Sequence, residues 1–587
     1  MAFNDYYKEE LIALRTEGAE FSRKNPGLST YLSKEGQDPD VERLLEGFSF
    51  LTGRLKQQLN QELPEVAHSL VQLLWPHYVR PVPSYSIIQF ESVTDSNDNV
   101  IVNKGFEVQN FVQGDVSACK FKTSYETTIM PIDIYNVEYY KSSVNSILEL
   151  DFKMTSKGTL DEINFDSFKI HLSGSKFVAM DLYLFLTKYV LDLELIIKNN
   201  SNEVLDSIKI DKNSINTIGF NSDETILPKA KNVFDGYILL QEFFCFKEKF
   251  LFVNINNIDK INNISSDILK KSNTFTLRIK LKKSLFHNAI PTKENFSLYC
   301  TPILNLYETD SVPIRKKQEK EEFLVLANNE NKNHAEVFSI LSVRGWVSGG
   351  STYQDILPFE SFDHNDSSQE YYSPRVKLST DGQRTNTYLR FSQSYQDKGE
   401  LLTGDSIMSV RLLATNKNAP SKLLLGDICI SNATNIAFRN ITIPSISYPP
   451  PIAGDFLWRV ISNMSLNYLS LNDLKTLKTI ISTYDFLGAF DSKQKEKTTV
   501  MLEGIISIES TTEEYIHKGM PIRGMHIHLV LDPLKFACVG EAYLFCSVIN
   551  EFFSLYGNIN SFHRLTVNII NEDTFSWDYR MGTEVLS

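Results

Sequence analysis

Three prolines within eight residues, Pro76, Pro81 and Pro83, constrain this chain more than any other feature. Each fixes φ and removes a backbone donor, so no helix crosses the segment and an extended, stiff run is expected. It divides two patterns. On its N-terminal side, Tyr7, Leu11, Leu14, Gly18 and Phe21 step by four, three, four and three residues, which keeps one narrow stripe on one helical face. Asn25-Pro26-Gly27 ends that helix. Asp38 and Pro39 suit the N-cap and first position of a second helix, on which Val41, Leu44, Phe48, Leu51, Leu55 and Leu59 continue the spacing. A third is expected from Pro64 to Trp75.

On the C-terminal side, short β-type segments start at Ser86 and recur to about residue 440, among them Phe177 to Leu186, Leu193 to Lys198, Phe250 to Ile255 and Thr274 to Leu281. The Lys- and Asn-rich stretch from about 195 to 285 reads as a peripheral, solvated β region. Lys316 to Glu322 reads as a solvated link or strand edge. Tyr448-Pro449-Pro450-Pro451 marks a second boundary. Beyond it the pattern predicts a helix from Asp455 to Ser470 and a short helix capped by Asn472. Strands follow from Thr499 to Ile508 and Met525 to Leu531, then an apolar helix from Glu541 to Tyr556 and a last strand from Leu565 to Ile570.

The fold class is therefore α+β and multidomain. The expected units are N-terminal helices (1–83), a β-rich domain with the peripheral region (84–300), a second β-rich domain (301–448) and a C-terminal α+β domain (449–587). A chain of 587 residues has room for them.

Charge and composition exclude several function classes. Lys and Arg total 59 against 72 Asp and Glu, a net charge of −13, and no cationic block offers a surface for counterion release. Nucleic acid is not an expected partner. No run of about 18 uncharged apolar residues occurs, so no membrane insertion is expected. The charged, patterned N-terminus carries no signal-peptide pattern. Six scattered cysteines without a Cys-x-x-Cys pair suit a reducing compartment and buried thiols.

Each candidate for chemistry has a simpler reading. Gly404-Asp405-Ser406 is similar to an esterase nucleophile block, but no Asp-x-x-His follows, and a turn entering a strand from Ile407 to Leu413 explains it. His526 and His528 fall on one face of a strand, but two imidazoles without a third ligand make no zinc site. His68 and His77 read as satisfied or exposed polar residues, and Cys538 and Cys546 as core. The neighbours Glu9/Glu10, Glu321/Glu322 and Glu513/Glu514 point apart and read as solvated rather than as acid/base pairs. No catalytic, metal or cofactor site is assigned.

The apolar stripes remain, and they lie in motifs. Asp5-Tyr6-Tyr7-Lys8-Glu9-Glu10-Leu11 with Glu17-Gly18-Ala19-Glu20-Phe21 resembles the opening of the TssF (VasA/ImpG) family, baseplate components of the bacterial type VI secretion system. Asp40 to Phe48, Leu63-Pro64-Glu65 and Pro76 to Ser84 resemble the next family segments. So do Cys300 to Tyr307, Ser409 to Asn416, Leu457 to Ser462, Ser465 to Leu471, Phe552 to Tyr556 and Asn560-Ser561-Phe562. The resemblance spans Asp5 to about Val567; Leu195 to Lys283 carries no such motif.

It implies a non-enzymatic structural protein. Two copies would assemble with one TssG into a wedge around the VgrG spike hub, joined to TssK and, through TssE, to the sheath. The place implied is the bacterial cytoplasm, docked at the inner-membrane complex through the baseplate. Tyr7, Leu11, Leu14, Phe21, Leu44, Phe48, Leu51 and Leu55 would then line a helical bundle shared with partners, and the proline segments would act as hinges that fit the two copies to different surroundings. The alternatives are a β-rich enzyme acting on carbohydrate or ester substrates and a wedge protein of a contractile phage tail or tailocin.

Overall fold

The computed structural model describes residues 75–452 and 473–582, apart from 95, 112–117, 143–144, 200, 202, 230–234, 287–289, 317–319, 329–334, 348–352, 360–369, 380–383, 394–405, 432–435 and 558–560. In the N-terminal part it describes residues 7–8, 11–16, 40, 43–54 and 70–72, all helical. The expected helix from Asp455 to Ser470 lies outside the described residues.

The chain is α+β, with a β-rich middle and an α+β C-terminal region. Pro76 opens a 3-10 turn, Pro76–Val79, instead of an extended run. The chain then extends, buried from Pro81 through Ile88. Val82 and Tyr448 exchange backbone hydrogen bonds at 2.8 and 3.0 Å, so the two proline-marked boundaries hold each other. Tyr78 packs against Tyr484 and Phe486, with ring centroids 5.5 and 5.8 Å away. Both ends of the proline segment are thus fixed to the body, and it is no free hinge.

The strand Tyr85–Phe90 sits inside a six-stranded antiparallel sheet. It pairs with Cys300–Leu304 on one side and Phe438–Asn440 on the other, so distant parts of the chain flank it. A five-stranded sheet centres on Thr274–Leu281, paired with Val190–Lys198 and Ser146–Met154. It packs on a four-stranded sheet through Phe152 and Phe275, whose rings stack at 4.7 Å, with Phe168 against Phe152 at 5.3 Å. Stacked rings add to the burial of their area. Residues 307–415 supply all of an eight-stranded sheet with its own core around Val343, Leu389, Met408 and Leu412.

Two segments differ from the expected strands. Phe177 to Leu186 lies in a helix, α1 (Lys176–Lys188), buried on every side from Ala179 to Leu186. A second helix, α2 (Asp235–Cys245), runs buried through the Lys- and Asn-rich stretch. That stretch is exposed at its edge strand Val204–Ile210, but α2 and Phe252–Ile255 belong to the interior. Glu242 on α2 and Lys249 after it, both fully buried, pair there. Glu242 also accepts the backbone N–H groups of Ile226 and Leu227 at 2.7 and 2.8 Å. A buried carboxylate needs such partners to offset its lost hydration.

The C-terminal region begins with α3 (Leu474–Thr483), capped by the Asp473 carboxylate accepting Thr476 N–H, one residue after the expected cap. Helix α4 (Ser492–Glu503) takes in Thr499 to Glu503, so the next strand is shorter at its start, Ile505–His517. It turns at Lys518-Gly519, both with positive φ as a two-residue hairpin requires, into Met520–Leu531. Helix α5 (Val539–Tyr556) then crosses over to Ser561–Ile569, parallel to Met520–Leu531. Rings of α5 meet those of the middle: Tyr543 with Tyr183 at 6.0 Å, Phe545 with Phe243 at 5.8 Å and Phe552 with Tyr237 at 6.0 Å. One continuous core therefore runs from Val71 to Phe575.

Candidate partner interface

The helical residues 43–54 show an inverted face. At 3.6 residues per turn, Leu44, Phe48 and Leu51 lie on one side, and Ser49 and Gly53 on the other. Leu44 is 73% exposed, Phe48 56% and Leu51 60%, whereas Ser49 and Gly53 are buried. Ser49 and Thr52 turn their hydroxyls onto the helix itself, donating to the Leu45 and Phe48 carbonyls at 2.6 and 2.9 Å. A helix that stabilises a single chain turns its large apolar residues inward. This one carries small residues inward and large ones outward.

Of the other residues expected at the interface, Tyr7, Leu11 and Leu14 are half-buried, and Ile12 between them is exposed. Phe21 and Leu55 lie outside the described residues. Spacing finds the stripe, but it cannot say which face is outward.

Of the candidates for chemistry, Glu9, Glu10 and His68 lie outside the described residues. Gly404 and Asp405 lie outside the described residues, and Ser406 is the buried first residue of Ser406–Thr415. His526 and His528 do share a face, with ring centroids 3.9 Å apart. His526 Nδ1 is 2.7 Å from Glu513 Oε1 and its Nε2 2.8 Å from Thr566 Oγ1. This carboxylate–imidazole–hydroxyl series ties three neighbouring strands together across one sheet face. Glu513 is therefore engaged, where a solvated carboxylate was expected.

Glu322 is engaged too, with Arg375, Lys377 and Arg390 at 2.8, 2.5 and 2.9 Å. Burial raises its pKa, but hydrogen bonds and charge from Lys377 and Arg375 outweigh that and hold the carboxyl below its ordinary range. No local spacing could have found either cluster, because both are assembled by strand pairing. His77, expected to be satisfied or exposed, is buried, and neither ring nitrogen has a hydrogen-bond partner among the described residues. Cys546 is buried; Cys538 is half-buried and caps α5, its sulfur accepting Glu541 N–H at 3.4 Å.

Among the described residues no three His, Cys, Asp or Glu side chains are grouped to hold a metal ion. No described helix is long and apolar enough to cross a membrane.

Comparison with known proteins gives a consistent picture. A relative in Pseudomonas aeruginosa, the type VI secretion system component TssF1, is 24% identical over 605 aligned positions, covering 95% of this chain and 95% of that one. A chain of the type VI secretion system TssK-TssF-TssG baseplate subcomplex, solved by cryo-electron microscopy, superposes with a TM-score of 0.74 at 26% identity. It covers 92% of this chain and 99% of its own length. A chain of the type VI secretion baseplate complex shares the fold at a TM-score of 0.65 and 22% identity, with both chains covered completely. The family model described as type VI secretion system, TssF, matches residues 1–584. The chain belongs to the TssF family of the type VI secretion system.

Proposed function

We propose that this chain is a non-enzymatic scaffold of the type VI secretion baseplate, working at the bacterial cytoplasmic face of the inner-membrane complex. Two copies join one TssG in a wedge. The wedge surrounds the VgrG hub, meets TssK, and reaches the sheath through TssE.

The observation that carries this reading is the outward stripe Leu44, Phe48 and Leu51. Burial of each such side chain stabilises by roughly 1.5–3 kcal/mol, and an exposed apolar row invites association. A partner helix laid along it supplies that burial. Tyr7, Leu11, Leu14, Phe21 and Leu55 extend the seam. The related chain solved within a TssK-TssF-TssG subcomplex favours TssG and TssK as partners. Because Pro76–Ser84 is fastened to the body, the two copies differ in how residues 1–54 lie against it, and the proline segment stays fixed.

Co-expression with the TssG-like protein of the same bacterium, followed by light scattering on the purified material, tests the reading. The expected mass corresponds to two copies of this chain per partner. A well-behaved monomer that ignores the partner would overturn it.

A further inference from the structure

A groove of about 1120 Å³ opens between the start of α1, the end of α2 and the face of α4. It exceeds the roughly 300–1,000 Å³ of small-molecule sites, so its scale suits a peptide segment. Its apolar surface is partly open: Phe177 is 56% exposed, Ile443 61% and Val500 38%, above the buried Phe244, Met501 and Phe536.

Its charge runs against that of the whole chain. Five lysines and three glutamates line it, in a protein whose net charge is −13. Lys176 pairs with Glu248 at 2.7 Å and Lys247 with Glu541 at 2.6 Å. Lys493 and Lys497, one turn apart on α4, have no ion-pair partner among the described residues, and the remaining wall acid is Glu496. At the wall, Tyr85 is 4% exposed and its hydroxyl has no hydrogen-bond partner among the described residues. A buried hydroxyl left unpaired costs free energy that an incoming acceptor would recover.

We propose that this groove is a docking site, separate from the helical seam, for an acidic amphipathic segment of a partner protein. Apolar residues of the segment cover Phe177, Ile443 and Val500. Its carboxylates face Lys493 and Lys497, and an oxygen acceptor meets the Tyr85 hydroxyl.

The test uses the full-length chain and a fluorescent 18-residue peptide with Leu at every third or fourth position and Glu elsewhere. Anisotropy is expected to show saturable binding at 100 mM salt, weakened at least tenfold at 500 mM. The double variant Lys493→Glu/Lys497→Glu should lose at least tenfold in affinity; both lysines are exposed, so its melting curve should match that of the parent. In the assembled complex, a photoreactive benzoylphenylalanine at Val500 should cross-link to an acidic segment of a partner. Equal binding of a Lys/Leu peptide, unchanged binding by the double variant, or no saturable binding would overturn the proposal. So would a cross-link to a basic segment or to another copy of this chain, or no cross-link at all.

Discussion

Lys249 and Glu242 show how much one buried residue can carry. Neither side chain reaches solvent, and Glu242 also holds two backbone N–H groups. Lys249→Met would leave that carboxylate buried without its cation, a change that costs about 3–5 kcal/mol. The denaturant midpoint of the variant should fall accordingly. His77 makes a different demand. Burial, aided by Arg80, lowers its pKa from 6.5 to about 3. On acidification the unfolded chain takes up this proton first. Stability contributed above pH 6.5 is therefore lost progressively between pH 6.5 and about 3. Between pH 7.5 and 5 the parent should lose about 2 kcal/mol more than His77→Phe, as denaturant titrations at the two pH values would register.

At the scale of elements, the joint between the middle and the C-terminal region depends on a close approach. A Cβ added at Gly540 would lie 2.3 Å from the Met180 carbonyl oxygen and 2.6 Å from Asp181 N. Asp181 in turn accepts Gly540 N–H at 3.1 Å. Gly540→Ala must push α5 off α1, at a cost of about 1–3 kcal/mol in melting experiments. Nothing in the sequence around Gly540 announces this, because the contact joins residues some 360 positions apart. Local pattern is legible where one chain segment decides the outcome. Thr274–Leu281, an alternating apolar run between polar ends, is a strand over the residues expected. Phe177 to Leu186 is apolar except for Asp181, and periodicity cannot tell a helix buried all round from a buried strand. At α4 the β-branched Thr498, Thr499 and Val500 favour a strand. The Asp491 cap and the inward Thr498, Met501 and Leu502 make it a helix. Near-heptad spacing likewise located the stripe at Leu44, Phe48 and Leu51, but only burial showed that it faces outward.

Over the whole molecule, stability and assembly are placed in different parts of the chain. The continuous core from Val71 to Phe575 holds the six-stranded sheet, the packed sheets of the middle and α5 as one body. The outward stripe on residues 43–54 adds little to that body, since its large side chains are exposed. Substitutions there should therefore separate folding from assembly, which core substitutions cannot do. Leu51→Glu places a charge on a 60% exposed position, where the isolated chain can hydrate it. In a bundle the same carboxylate would be buried without a partner, a penalty large enough to abolish binding. Leu14→Glu probes the half-buried first segment in the same way. Each variant is expected to keep the β-sheet circular dichroism of the parent and to lose the complex with the TssG-like partner on gel filtration. If both variants still co-purify at the parental ratio, the seam does not lie on these helices.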